Sequence, residues 1–105
     1  MMSDTPPIAC TPGVLNDDEN QGREALIETL RQAVLSLSFS DHGLAVKLHK
    51  SKETVLAAAR LAAFESLCCP FLSIRLRIDP GEAPLALEMI GPSGSGEVLR
   101  TELGL

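Results

Sequence analysis

Leu35-Ser36-Leu37-Ser38-Phe39-Ser40-Asp41-His42-Gly43-Leu44-Ala45-Val46-Lys47-Leu48 is the stretch on which the fold turns. Apolar residues at 35, 37 and 39 alternate with serines, and Leu44, Val46 and Leu48 alternate with Ala45, Lys47 and His49. Successive side chains of a strand point to opposite sides, so strict alternation marks a strand with one buried face. The Asp41-His42-Gly43 segment supplies turn residues between the two runs. Together they predict a hairpin.

The same design recurs downstream. Leu72, Ile74, Leu76 and Ile78 alternate with Ser73, Arg75, Arg77 and Asp79, Pro80-Gly81-Glu82 turns the chain, and Leu85, Leu87 and Met89 alternate with Ala86 and Glu88. Between the hairpins, Ser51 is a good N-cap and Glu53 suits a first helical turn, which predicts a helix over about 52–68 that Pro70 must end. Upstream, Asn16-Asp17-Asp18-Glu19 opens a helix over about 18–34 carrying Ala25, Leu26, Leu30, Ala33 and Val34 at helical spacing, with Gly22 weakening its start. Downstream, the Gly91-Pro92-Ser93-Gly94 loop leads to a short helix capped by Ser95 and ended near Gly104.

The order is therefore α-ββ-α-ββ-α. One-sided strands belong to a sheet covered on a single face. The expected class is α+β, a two-layer sandwich with a four-stranded sheet and helices on one face; strand order stays open. Residues 1–15 hold three of the seven prolines and no periodic pattern, which predicts an extended arm ahead of a single domain over 16–105. The second helix is unusually apolar: between Val55 and Leu67 only Arg60, Glu65 and Ser66 are polar.

A chain of 105 residues can bury one core without metal or disulfide support. The net charge of −5 argues against nucleic acid and anionic membranes as partners, since both call for a basic surface. No run approaches the ~18 apolar residues of a membrane span, and the N-terminus has neither the cationic start nor the apolar segment of a signal peptide. Three cysteines cannot all pair within one chain, and a reducing compartment keeps thiols free. The expectation is a cytoplasmic protein with free thiols.

The chemistry concentrates at Cys68-Cys69-Pro70-Phe71. Two adjacent sulfurs suit a thiophilic ion such as Hg(II), Cu(I) or Zn(II). The negative end of the helix dipole disfavours thiolate there, which fits metal coordination better than nucleophilic attack. Pro70 pushes Cys69 out of helical geometry, so the backbone can turn between the two sulfurs. Cys10, in the apolar patch Ile8-Ala9-Cys10, is a third ligand if the arm docks over the helix end. Glu65, three and four residues before the pair, is an auxiliary ligand on the same helix face. Tetrahedral zinc needs a fourth donor, for which His42, His49 and Glu65 are candidates. The competing reading is that the cysteines simply fill core space, as free cysteine commonly does.

Cys10, Arg23, Glu65-x-x-Cys68-Cys69-Pro70-Phe71 and Ile90-Gly91-Pro92 resemble the pattern C-T-L…R…E-R-x-C-C-P-F…T-G-P of a family of small bacterial proteins without an assigned activity. Ser66 stands where that family has arginine, and Pro12 where it has leucine. Such proteins are encountered in heavy-metal resistance, including mercury, and the resemblance implies a role in handling such ions.

The remaining motifs are weaker. Gly91 to Gly96 lacks the Gly-Lys-Ser/Thr ending of a phosphate loop, and no Ser-His-Asp set or acid pair can be assembled. The expected function is a thiol-based soft-metal-binding module, Hg(II) favoured, with no organic cofactor and binding rather than catalysis. Two alternatives stand beside it: a thiol-dependent enzyme, and an interaction or homodimerisation domain using the serine-rich sheet face or the second helix.

Overall fold

The computed structural model of the protein describes residues 13–104; the expected arm lies outside them up to position 12. Its elements are α1 (Asp17–Ala33), β1 (Val34–Ser40), β2 (Gly43–Leu48), α2 (Lys52–Cys68), β3 (Ser73–Arg77), β4 (Leu85–Ile90) and α3 (Ser95–Leu103). The class is α+β, in the expected order. Among the described residues no helix is long and apolar enough to cross a membrane.

The strand order is β1-β2-β4-β3, antiparallel throughout. The two hairpins therefore meet through their later strands, β2 and β4. Leu44, Val46 and Leu48 stand opposite Met89, Leu87 and Leu85, and all six are buried. Beneath them lie Ala57, Ala58 and Leu61 of α2, Leu30 of α1, and Leu99 and Leu103 of α3. α1 packs on α2, while α3 lies under β1 and β2. The opposite sheet face, with Ser36, Ser38, Ser40, Lys47, Ser73, Arg75 and Arg77, is exposed.

Local signals explain most boundaries. Asn16 caps α1 with a full capping box: its side chain accepts from the Glu19 amide at 2.8 Å, and Glu19 accepts from the Asn16 amide at 3.0 Å. Ser51 caps α2 by accepting from the Thr54 amide at 3.1 Å. Gly104 ends α3 in the left-handed conformation.

Two local expectations need correction. Leu35 does not share a face with Leu37 and Phe39, because the ladder slips between Val34 and Ser36 and leaves Leu35 62% exposed. A bulge inserts one residue and so breaks the alternation that the sequence suggests. Ser95 is not the cap of α3: Gly94 is, in a left-handed conformation, while the buried Ser95 hydroxyl donates to the Pro92 carbonyl at 2.6 Å.

α3 enters at an unusually close approach. The Gly94 and Gly96 amides donate to the Asp41 carbonyl at 3.0 and 3.1 Å, and the Asp41 carboxylate accepts from the Gly94 amide and from Ser93. Those donors hold the Asp41 carboxyl below its usual range, Ser93 first. A Cβ on Gly96 would sit 1.8 Å from the Ser40 carbonyl oxygen. Gly96→Ala should therefore destabilise the fold by about 2–3 kcal/mol, the upper range of overpacking. Gly22→Ala, in α1 with nothing near its new Cβ, should stabilise it by about 0.5–1 kcal/mol. Urea midpoints followed by far-UV circular dichroism check both signs.

Candidate functional site: a buried Arg-Glu pair against Cys69

Glu65 is completely enclosed at the C-terminal end of α2. Its position follows from helix geometry: Thr54, Ala57, Ala58, Leu61 and Glu65 form one buried stripe. α1 presents the mirror case, with Arg23 on the stripe of Leu26, Ile27 and Leu30. Each helix thus carries one charge on its apolar side. Where the helices meet, Arg23 Nε donates to Glu65 Oε1 at 2.5 Å, with side chains 11% and 0% exposed. Arg23 Nη2 also reaches the Glu102 carbonyl at 3.4 Å, joining the end of α3 to the cluster.

The second carboxylate oxygen of Glu65 faces sulfur: Cys69 Sγ lies 3.4 Å from Oε2. Cys69 is fully buried and stands just past α2, with φ −123° and ψ 73°. Its amide closes the helix by donating to the Glu65 carbonyl at 2.7 Å, and its own carbonyl accepts from Leu72 at 3.1 Å. Pro70 imposes this departure from helical geometry, as expected. Phe71 is buried beside Gly91, where an added Cβ would come within 3.1 Å of its ring.

The turn between the two cysteines gives them different environments. Contrary to the expectation of free thiols, Cys69 is held in a disulfide. Cys68 keeps a free thiol and is half-buried at the last helical position. Burial raises the Cys68 pKa, the Glu65 carboxylate raises it further, and the nearby Arg23 charge opposes both. Less thiolate is therefore present at any pH below its midpoint than in an unstructured peptide.

Of the expected ligands, the structure brings Glu65 against Cys69 and keeps Cys68 on the adjacent, more open side. Cys10 lies outside the described residues. His49 sits at the opposite end of α2, a helix about 25 Å long. His42 is in the β1–β2 turn, with Nδ1 3.1 Å from the Gly91 carbonyl oxygen. Among the described residues, no group of three or more Cys, His, Asp or Glu donors could hold a metal ion. The pairing of Arg23 with Glu65 is the feature the sequence reading missed. Its signal is present: two opposite charges, each embedded in the apolar stripe of its own helix.

Comparison with protein-family models, curated proteins and solved structures returned no match to this chain.

Two outcomes follow. Removing one partner of a buried ion pair leaves an uncompensated charge, so Arg23→Met or Glu65→Leu alone should cost about 3–5 kcal/mol, whereas the double substitution should recover most of that loss. Chemical denaturation of the four proteins checks the cycle. Alkylation of Cys68 by iodoacetamide, mapped by peptide mass, should be slower at pH 7 than that of an unstructured cysteine peptide, with its rate midpoint displaced to higher pH.

Proposed function

We propose that this protein is a cytoplasmic capture module for a thiophilic ion, Hg(II) ahead of Cu(I) or Zn(II), acting through Cys68 and Cys69 in the reduced state. The observation that carries the reading is the Glu65 carboxylate fixed between Arg23 and Cys69 Sγ. A buried ion pair is a poor way to stabilise a core, because desolvation offsets much of its attraction. Its presence against a cysteine suits a site in which sulfur position matters. Cys69 is clamped, while Cys68 is accessible enough to meet an incoming ion and hand it inward.

Ligand number favours the soft, two-coordinate ions. Hg(II) and Cu(I) are satisfied by two sulfurs, whereas structural zinc almost always takes four donors. Capture begins with reduction of the Cys69 disulfide: two equivalents of a small-molecule thiol give up two protons and two electrons, leaving two protein thiols and one oxidised reagent disulfide. Each thiol then loses its proton as the ion binds. The Cys-Cys-Pro-Phe resemblance to proteins of heavy-metal resistance points the same way.

The disulfide favours one further reading, a thiol–disulfide exchange activity in which Cys68 or Cys69 attacks a thiophilic substrate. The raised Cys68 pKa weighs against it as a fast nucleophile.

Absence of Trp and Tyr leaves the near-UV clear for thiolate-to-metal bands. Reduced and oxidised protein should be titrated with Hg(II), Cu(I) and Zn(II) in excess competing thiol, with native mass recorded alongside. The expected result is one Hg(II) per reduced chain, lost in Cys69→Ser, weakened at least tenfold in Cys68→Ser and absent without reduction. Equal affinity in both variants overturns the proposal. Catalytic turnover of a disulfide substrate without stable ion uptake would instead establish the exchange reading.

A further inference from the structure

Of the three cysteines in the chain, Cys68 is a free thiol and Cys69 is held in a disulfide. Cys10 is the remaining one. Counting thus ties the Cys69 sulfur to the segment ahead of α1, and the packing of the described helices shows that this segment can reach it.

α1 and α2 run antiparallel. At one end the His49 amide, just ahead of α2, donates at 2.8 Å to the carbonyl of Ala33, the last residue of α1. At the other end Arg23 meets Glu65. The start of α1 therefore lies alongside the end of α2. At ~1.5 Å per residue, Asp17 stands ~9 Å before Arg23 along α1 and Cys69 ~6 Å past Glu65 along α2, so the two are nearly level. Leu15 keeps the chain ahead of α1 on the body of the protein: it is buried, and its carbonyl accepts from the Asn20 side chain at 3.4 Å. Gly13 then turns the backbone at a φ of +77°. From Asp17 back to Cys10 an extended chain spans ~24 Å, at ~3.4 Å per residue. A disulfide needs its α carbons only ~5–6 Å apart. The reach is ample.

We infer that Cys10 is the second half of the Cys69 disulfide, so that the segment ahead of α1 is a covalent strap over the end of α2, opened by thiols at its Cys10 sulfur. The bond closes a loop from residue 10 to residue 69 that takes in α1, the first hairpin and most of α2. Long loops gain most from closure. Cys69 is fully enclosed, so an incoming thiolate meets the bond from the Cys10 side. A new S–S bond forms on Cys10, the bond to Cys69 breaks, and Cys69 leaves with the bonding pair and takes up a proton. A second reagent thiol resolves the mixed disulfide, giving the Cys10 thiol and the oxidised reagent. The released Cys69 thiol has an acceptor in place, Glu65 Oε2 at 3.4 Å. Until the strap opens, the Cys69 sulfur is closed to a metal ion and to a substrate disulfide alike.

Peptide mass mapping of the full chain tests the pairing. After equilibration with oxidised glutathione, free thiols are capped with N-ethylmaleimide and the chain is cut with trypsin, which cleaves after Arg23, Arg60 and Arg75. The expected product joins residues 1–23 to residues 61–75 and carries a single maleimide, on Cys68. A Cys68–Cys69 bond, a bridge from Cys10 to Cys68, a bridge between two chains, or capping of all the cysteines overturns it. The strap has a second signature. Dithiothreitol should lower the folding equilibrium constant of the wild type in urea by about tenfold or more and leave that of Cys10→Ser unchanged. An equal loss in Cys10→Ser would place the stabilising effect elsewhere and sink the strap. When opening by reduced glutathione is quenched midway with acid, the mixed disulfide should sit on Cys10; glutathione on Cys69 instead would refute the direction of attack.

Discussion

The pairing of β2 with β4 is the constraint on which the rest of the molecule depends. Leu44, Val46 and Leu48 face Met89, Leu87 and Leu85 across the centre of the sheet, and every one of them is enclosed. These strands belong to different hairpins, so their contact joins the two halves of the chain. A one-residue slip of either strand would turn its three side chains of this block to solvent. Burial of that block at ~25 cal/mol per Å² of apolar surface holds the register and fixes where α2, linking the hairpins, must lie.

With α2 in place, the chemistry at its C-terminal end follows. The helix stops because Pro70 cannot continue it, and stopping there turns Cys69 inward and leaves Cys68 on the boundary. α1 packs on α2 along the stripe that carries Arg23, so the guanidinium arrives at Glu65 as a consequence of helix packing. The result is a charged, hydrogen-bonded cluster set against a sulfur in an otherwise aliphatic core. Among the described residues, no buried side-chain nitrogen or oxygen is left without a partner.

The two ends of the sheet face different demands. At the turn end, Asp41, Ser93, Gly94 and Gly96 stitch the first hairpin to α3, and Gly96 permits an approach no side chain could share. At its outer edges the sheet is charged on one side and neutral on the other. That asymmetry is a property of two short sequences, Ser73–Arg77 and Val34–Ser40, but it acquires meaning only because the fold makes both of them edges.

The sequence alone determined what depends on neighbours along the chain. Alternation at 35–48 and 72–89, the caps at Asn16 and Ser51, and the stop at Pro70 each act within a few residues, and so the elements, their order and the one-sided sheet were legible. The cysteine pair was legible as a candidate site for the same reason. Tertiary structure decided what depends on distant segments: that β2 and β4 are central, that Arg23 finds Glu65 across 42 positions, and that adjacent cysteines occupy unlike environments. It also decided the local exceptions at Leu35 and Ser95, where register and the approach of α3 override propensity. Local patterns say which face of an element is apolar. Only packing says which faces meet, because burying the most apolar surface with every polar group satisfied is a condition on the whole chain at once.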